Sequence, residues 1–143
     1  MSLAARALAV WGLIMVLEVG NGLLRKVIIE FFVDDLTARQ IGVALGSVMI
    51  VLVAYLTAGW LRVRGTRTPL LVGAGWVLLT VAFEILLGRM VLGLDWARIG
   101  ADYDLRHGGL MPIGLLVMAA APLLGARLRR QVRVRRHRRR RAA

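Results

Sequence analysis

Four apolar runs dominate the chain, at about 7–29, 41–61, 69–90 and 109–126. A bilayer's hydrocarbon core is about 30 Å thick and takes roughly 20 helical residues to cross, and lipid admits only structures that satisfy their own backbone hydrogen bonds. Runs of this length predict an all-α integral membrane bundle of four transmembrane helices over residues 1–126, followed by an Arg-rich tail over 127–143. The first run exceeds the apolar stretch of about 7 to 15 residues typical of a cleavable signal peptide and lacks a small-residue cleavage site, so it is expected to stay as the first helix.

Cations set the expected orientation, because basic loops resist translocation. Arg62, Arg64 and Arg67 lie between the second and third runs with no acid nearby, and Arg127, Arg129, Arg130, Arg133, Arg135, Arg136 and Arg138 to Arg141 follow the fourth. The two other connections mix charges: Glu30, Asp34 and Asp35 against Arg39, and Asp95, Asp102 and Asp104 against Arg98, Arg106 and His107. Both termini are therefore expected in the cytoplasm of a bacterial cell, with the protein in its inner membrane. Of 20 basic residues only Lys26 is a lysine, which reads as the codon bias of a GC-rich genome.

Half of the basic residues sit in the tail. Each can contribute about 1 kcal/mol of attraction to anionic lipid headgroups. Leu124, Leu128 and Val132 recur every four residues, so the last helix can continue as a basic amphipathic extension against the inner leaflet. The alternatives are a topology anchor without a partner and, more weakly, nucleic acid.

Ionisable groups inside hydrocarbon are expensive and mark candidate sites. The first run holds Glu18, Asn21 and Arg25 with Gly20 and Gly22 between them, all near one helical face. In the third, Trp76, Thr80, Glu84 and Gly88 recur at intervals of four. Arg25 lies about 27 Å along its helix and Glu84 about 22 Å along its own, so a buried Arg25–Glu84 pair is expected, with Arg39 and Gln40 at the start of the second helix as competing partners. Glu18 is left near mid-membrane without an assured cation and can share a hydrogen bond with Asn21. The cluster is either a clasp that fixes packing or an outward-facing site for an ion, a proton or a polar substrate.

Trp11, Glu18 and Arg25 are echoed by Trp76, Glu84 and Arg89, and Arg39-Gln40-Ile41-Gly42 by Arg106-His107-Gly108-Gly109, at a near-constant offset. Read as a duplication, this makes two helical hairpins of like orientation; read as coincidence in an apolar sequence, it makes none. Between the last two runs, Asp95 can cap a short helix reaching about Leu105, a lid with Trp96 and Tyr103 at the interface. Asp102, Asp104 and His107 are weak metal candidates lacking a fourth ligand, with a solvated loop as the alternative. Gly42 and Gly46 permit close helix approach within the bundle or between protomers, and Pro122 is expected to kink the fourth helix.

Chemistry is constrained by what is missing. With no cysteine, two serines and no hydrolase, zinc or P-loop motif, the chain is not expected to be an enzyme or to carry a cofactor. Asp35, Ala38, Arg39 and Gly46 share the start of a CDP-alcohol phosphotransferase pattern, but its downstream aspartates are absent and the side of the membrane is wrong.

The segment Leu17-Glu18-Val19-Gly20-Asn21-Gly22-Leu23-Leu24-Arg25-Lys26 resembles the first helix of the small multidrug resistance transporters, in which a membrane glutamate exchanges protons for cationic drugs. That resemblance implies a proton- and substrate-binding role for Glu18, although Arg25, Glu84 and the long outer loop depart from the pattern. More broadly, Ala38 to Gly42, Phe83 to Arg89 and Asp102 through Pro122 resemble small uncharacterised four-helix proteins of bacterial inner membranes, which implies the fold and no activity. The expectation is a transporter or ion- or proton-coupled protein, a homo-oligomer or part of a larger complex. The alternative is a non-catalytic accessory subunit or assembly factor.

Overall fold

The structure, a computed structural model, describes the backbone of residues 1–141 and the side chains of residues 1–134. Its helices are α1 (Leu3–Val27), α2 (Asp35–Leu61), α3 (Arg67–Leu86), α4 (Trp96–Tyr103) and α5 (Met111–Arg141). A π turn at Leu87–Val91 prolongs α3, and 3-10 turns at Ile29–Phe31 and Leu105–His107 close the two connections at one end of the bundle. No strand occurs among the described residues. Four helical segments, Leu3–Phe31, Asp35–Leu61, Arg67–Val91 and Met111–Val134, are long and apolar enough to cross a membrane. The protein is a membrane-spanning helical bundle.

Local sequence explains where these helices start and stop. Ser2, Asp34 and Asp95 are N-caps whose side chains accept from the backbone N–H three residues on, satisfying donors the first turn leaves free. Gly93 and Gly108 adopt left-handed φ angles of 63° and 88° on either side of α4, a region open to glycine at little cost. The fourth spanning helix does not stop at 126: α5 runs on to Arg141 and passes through Pro122, which is buried. The proline therefore withdraws a hydrogen bond from the helix without ending it. The side chains of Arg135, Arg136 and Arg138 to Arg141, the greater part of the proposed lipid-binding tail, lie outside the described residues.

The core gathers Val10, Ile14 and Met15 of α1, Ile50, Val53, Ala54 and Leu61 of α2, Val72 and Trp76 of α3, and Met118 and Ala121 of α5. Around the ring α2 packs on α1 and α5, and α3 packs on α5. Glycines set the closest approaches: a Cβ on Gly73 would collide with the Ala119 carbonyl of α5, and one on Gly125 with the Ala54 backbone of α2. By contrast the large hydrophobics Leu13, Val16, Leu71, Leu78 and Leu116 point away from the bundle, as lipid-facing residues do.

Candidate functional site

α1 and α3 lock together over residues 7–11 of α1 and 76–83 of α3. Trp11 Nε1 donates to Thr80 Oγ1 at 3.0 Å and Trp76 Nε1 donates to the Ala7 carbonyl at 2.9 Å, so each tryptophan reaches into the opposite helix. Trp11 also meets Phe83 edge-on with ring centroids 6.3 Å apart. Thr80 is buried, and its hydroxyl passes its hydrogen bond on to Met118 Sδ at 3.2 Å.

Beyond these contacts the two helices address different neighbours, leaving a cavity of about 620 Å3 walled by α1, α2, α3 and α5 and roofed by α4. Glu18, Asn21, Arg25, Arg39, Thr80 and Glu84 all line it. Gln40 stands at its edge, donating to the Gly108 carbonyl at 3.1 Å and so tying α2 to the turn before α5.

Glu18 and Asn21 are seated on the glycines of α2. Asn21 Nδ2 donates to the Gly42 carbonyl at 2.9 Å and to Glu18 Oε2 at 3.4 Å. The Glu18 carboxyl lies so close to Gly46 that a Cβ there would stand 2.6 Å from Oε2. The Gly42–Gly46 pair thus works within the bundle by admitting polar side chains of α1. Glu18 Oε1 is buried without a hydrogen-bond partner among the described residues.

The expected Arg25–Glu84 pair does not form. Arg25 instead lies along Gly42 and reaches Glu30, in the turn after its own helix, at 3.9 Å. Glu84 accepts from the Tyr103 hydroxyl of α4 at 3.2 Å. Equal height along two helices did not bring the groups together because α1 and α3 diverge there, each turning its polar face to a different neighbour. Arg39 and Gln40, the competing partners, bind neither carboxyl. Arg39 makes ion pairs with Asp102 at 2.6 Å and Asp35 at 3.1 Å, and Arg98 joins the same two acids at 3.3 and 3.7 Å. This four-membered network fastens α4 to the start of α2.

Arg89 leaves the cavity, donating to the Leu94 carbonyl at 2.7 Å and stacking over Trp96. The weak metal candidates are dispersed: Asp102 belongs to the arginine network, while Asp104 and His107 pair with each other at 2.6 Å. No cluster of three such side chains able to hold a metal occurs among the described residues. Outside the spans, the Asp104 carboxyl is held below the usual aspartate range, chiefly by its hydrogen bond with His107. The Tyr103 phenol is pushed above its ordinary range, first by burial and then by the neighbouring Glu84 carboxyl.

Sequence reasoning missed Tyr103, which it placed at the membrane interface. The available signal was its position on an eight-residue helix capped by Asp95, one of whose faces had to turn toward the bundle. The π turn just beyond Glu84 carried no sequence signal; such turns recur near functional sites.

No protein-family model matches the chain, and no solved structure matches it. One stretch of the chain is similar to part of heme A synthase from Dinoroseobacter shibae, with 36% identity over 52 residues. That stretch is 36% of this chain and 14% of that protein, so the similarity spans a minor part of its length.

Proposed function

We propose that this chain is a small transporter or ion- or proton-coupled protein of a bacterial inner membrane, with both termini cytoplasmic and no catalytic chemistry of its own. The observation that carries this reading is that Glu18 of α1 and Glu84 of α3 line one cavity, and neither makes an ion pair among the described residues. A carboxyl in hydrocarbon costs several kcal/mol, and a clasp would recover that cost by pairing it with a cation. Here the lining arginines are spent elsewhere, on Glu30, Asp35 and Asp102, and Lys26 pairs with neither carboxyl. Two carboxyls that hold hydrogen bonds but no cation can exchange a proton for a ligand, as a coupled carrier needs.

The test is proton movement in liposomes holding the purified protein and a pH-sensitive dye, under an imposed pH gradient. Wild-type protein should dissipate the gradient, and Glu18→Gln and Glu84→Gln should each abolish that flux. Both should keep their thermal stability, because glutamine preserves the hydrogen bonds to Asn21 and Tyr103. Flux undiminished in both variants would sink the reading. The similarity to heme A synthase covers too little of that protein to supply a separate reading.

A second reading, an accessory subunit or assembly factor, draws on Phe31 and Phe32, more than 80% exposed beside the α1–α2 turn. A larger membrane complex would cover them. Copurification of one stoichiometric partner in mild detergent, lost on Phe31→Ser with Phe32→Ser, would favour this reading over the first.

A further inference from the structure

The walls of the cavity do not close on all sides. The polar and ring contacts between α1 and α3 fall between Ala7 or Trp11 on one helix and Trp76, Thr80 or Phe83 on the other. Past Met15 the polar face of α1 turns to α2, and past Phe83 that of α3 turns to α4. Val19 and Leu23 of α1 line the cavity and are nevertheless 41% and 60% exposed, and Leu92, beyond the π turn, lines it while 57% exposed. Residues combine these properties only where a wall is missing. In a bilayer that gap faces acyl chains.

We propose that the α1–α3 seam is a lateral entrance through which the cavity takes a neutral, hydroxyl-bearing amphiphile out of the bilayer. The inference rests on reading the cavity as a binding site, and it names the class of ligand.

Three observations choose that class. The deeper lining, including Met15, Ile50, Phe83, Leu115 and Met118, is mostly apolar and suits an alkyl body. The volume lies within the range of about 300 to 1,000 Å3 usual for small-molecule sites. Charge decides the head. Arg39 and Arg98 are neutralised by Asp35 and Asp102, and Arg25 faces Glu30, which leaves Lys26 as a single lining cation outside these ion pairs and not the cluster a phosphate site is built from. Glu18 and Glu84 lack cations and are best served by hydrogen-bond donors. A hydroxyl donates without placing a further positive charge near Arg25 and Lys26.

A second copy of the chain fits the seam less well. The outward faces of its spanning helices offer Leu13, Val16, Leu71, Leu78 and Leu116, which would cover the gap yet bring no donor to either carboxyl.

Native mass spectrometry of the full chain in detergent tests this, with monoolein, its phosphate-headed analogue oleoyl lysophosphatidic acid, and oleylamine offered at equal concentration. The expected result is a one-to-one complex with monoolein in preference to the other two. Leu23→Trp should weaken it about tenfold or more by filling the entrance. Leu23 is exposed, so that substitution leaves the core intact, and Val19→Trp repeats the test from the next turn. Preference for the phosphate-headed probe would show that Arg25 and Lys26 govern the site; preference for the amine would show that the carboxyls bind as anions. Either overturns the proposal, as does a dimer that retains no probe, the absence of any complex, or monoolein retention unchanged in both tryptophan variants. Proton flux dependent on Glu18 and Glu84 in a protein that binds no monoolein would remove this inference and leave the proposed function standing.

Discussion

Tyr103 ties the lid to the cavity wall through one hydrogen bond to Glu84, and its raised pKa keeps the phenol protonated across physiological pH as a constant donor. Glu84 is thereby committed to α4, while Arg25 is committed to Gly42 and Glu30. Groups that share no partner contribute independently to stability. Arg25→Leu and Glu84→Leu are therefore expected to destabilise additively, with a coupling below about 0.5 kcal/mol in a double-mutant cycle read from unfolding in detergent. A coupling well above that would place the two side chains in contact and contradict the divergence of α1 and α3. Sequence could not reveal this divergence. Helical rise fixes the height of each residue, whereas the separation of two helices is fixed by third parties: here Gly46, which lets Glu18 lie against α2, and Gly73, which draws α3 onto α5. Six of the seven nominated polar residues do line one cavity, because hydrocarbon forces polar faces inward. Their partners within it were beyond the reach of spacing alone.

Two of the helices, α2 and α4, start on acidic caps. Asp34 accepts from the Thr37 backbone at 3.0 Å and from the Thr37 hydroxyl at 2.6 Å, which holds its carboxyl below the usual aspartate range. Asp104 is lowered in the same direction by His107. A carboxyl whose folded pKa is depressed contributes stability that is fully present above its unfolded value, about 3.9, and is lost as pH falls through the lower folded value. Thermal stability in detergent should therefore decline below about pH 4, and the decline should be shallower in Asp34→Asn, since asparagine caps a helix comparably but does not titrate. An identical acid profile in wild type and variant would remove Asp34 from the account. The cap at Asp95 and the lid helix after it were legible, because an Asx side chain before a short amphipathic stretch has few other uses. The continuation of α5 to Arg141 was foreshadowed by the Leu124, Leu128 and Val132 spacing.

At the scale of the whole molecule, charge is distributed between the two ends of the bundle. Arg6, the Arg62 to Arg67 turn and the stretch of α5 from Arg127 to Arg141 belong to the end where α1 begins and α5 leaves the bundle, with no acid among them. The opposite end holds Glu30, Asp34, Asp35, Asp95, Asp102 and Asp104, and its own cations are largely bound up: Arg39 and Arg98 in the network with Asp35 and Asp102, Arg89 against Leu94 and Trp96. Positive charge near the ends of short connections resists translocation, while acidic residues weigh little, so the terminal end is expected in the cytoplasm. Reporter fusions at the N-terminus, next to Arg64 and at the C-terminus should all read cytoplasmic, and one inserted at Gly93 should read exterior. The orientation should also survive truncation after Arg130, because Arg62, Arg64 and Arg67 remain on the same side as Arg6. Truncation should still lower binding to anionic liposomes, and the difference should shrink as salt screens it, with a Debye length of about 3 Å at 1 M. Equal binding by both forms at low salt would leave the tail as a topology signal alone. Exterior labelling beside Arg64 would invert the bundle and place the roof of the cavity, with Tyr103 and the arginine network, on the cytoplasmic side.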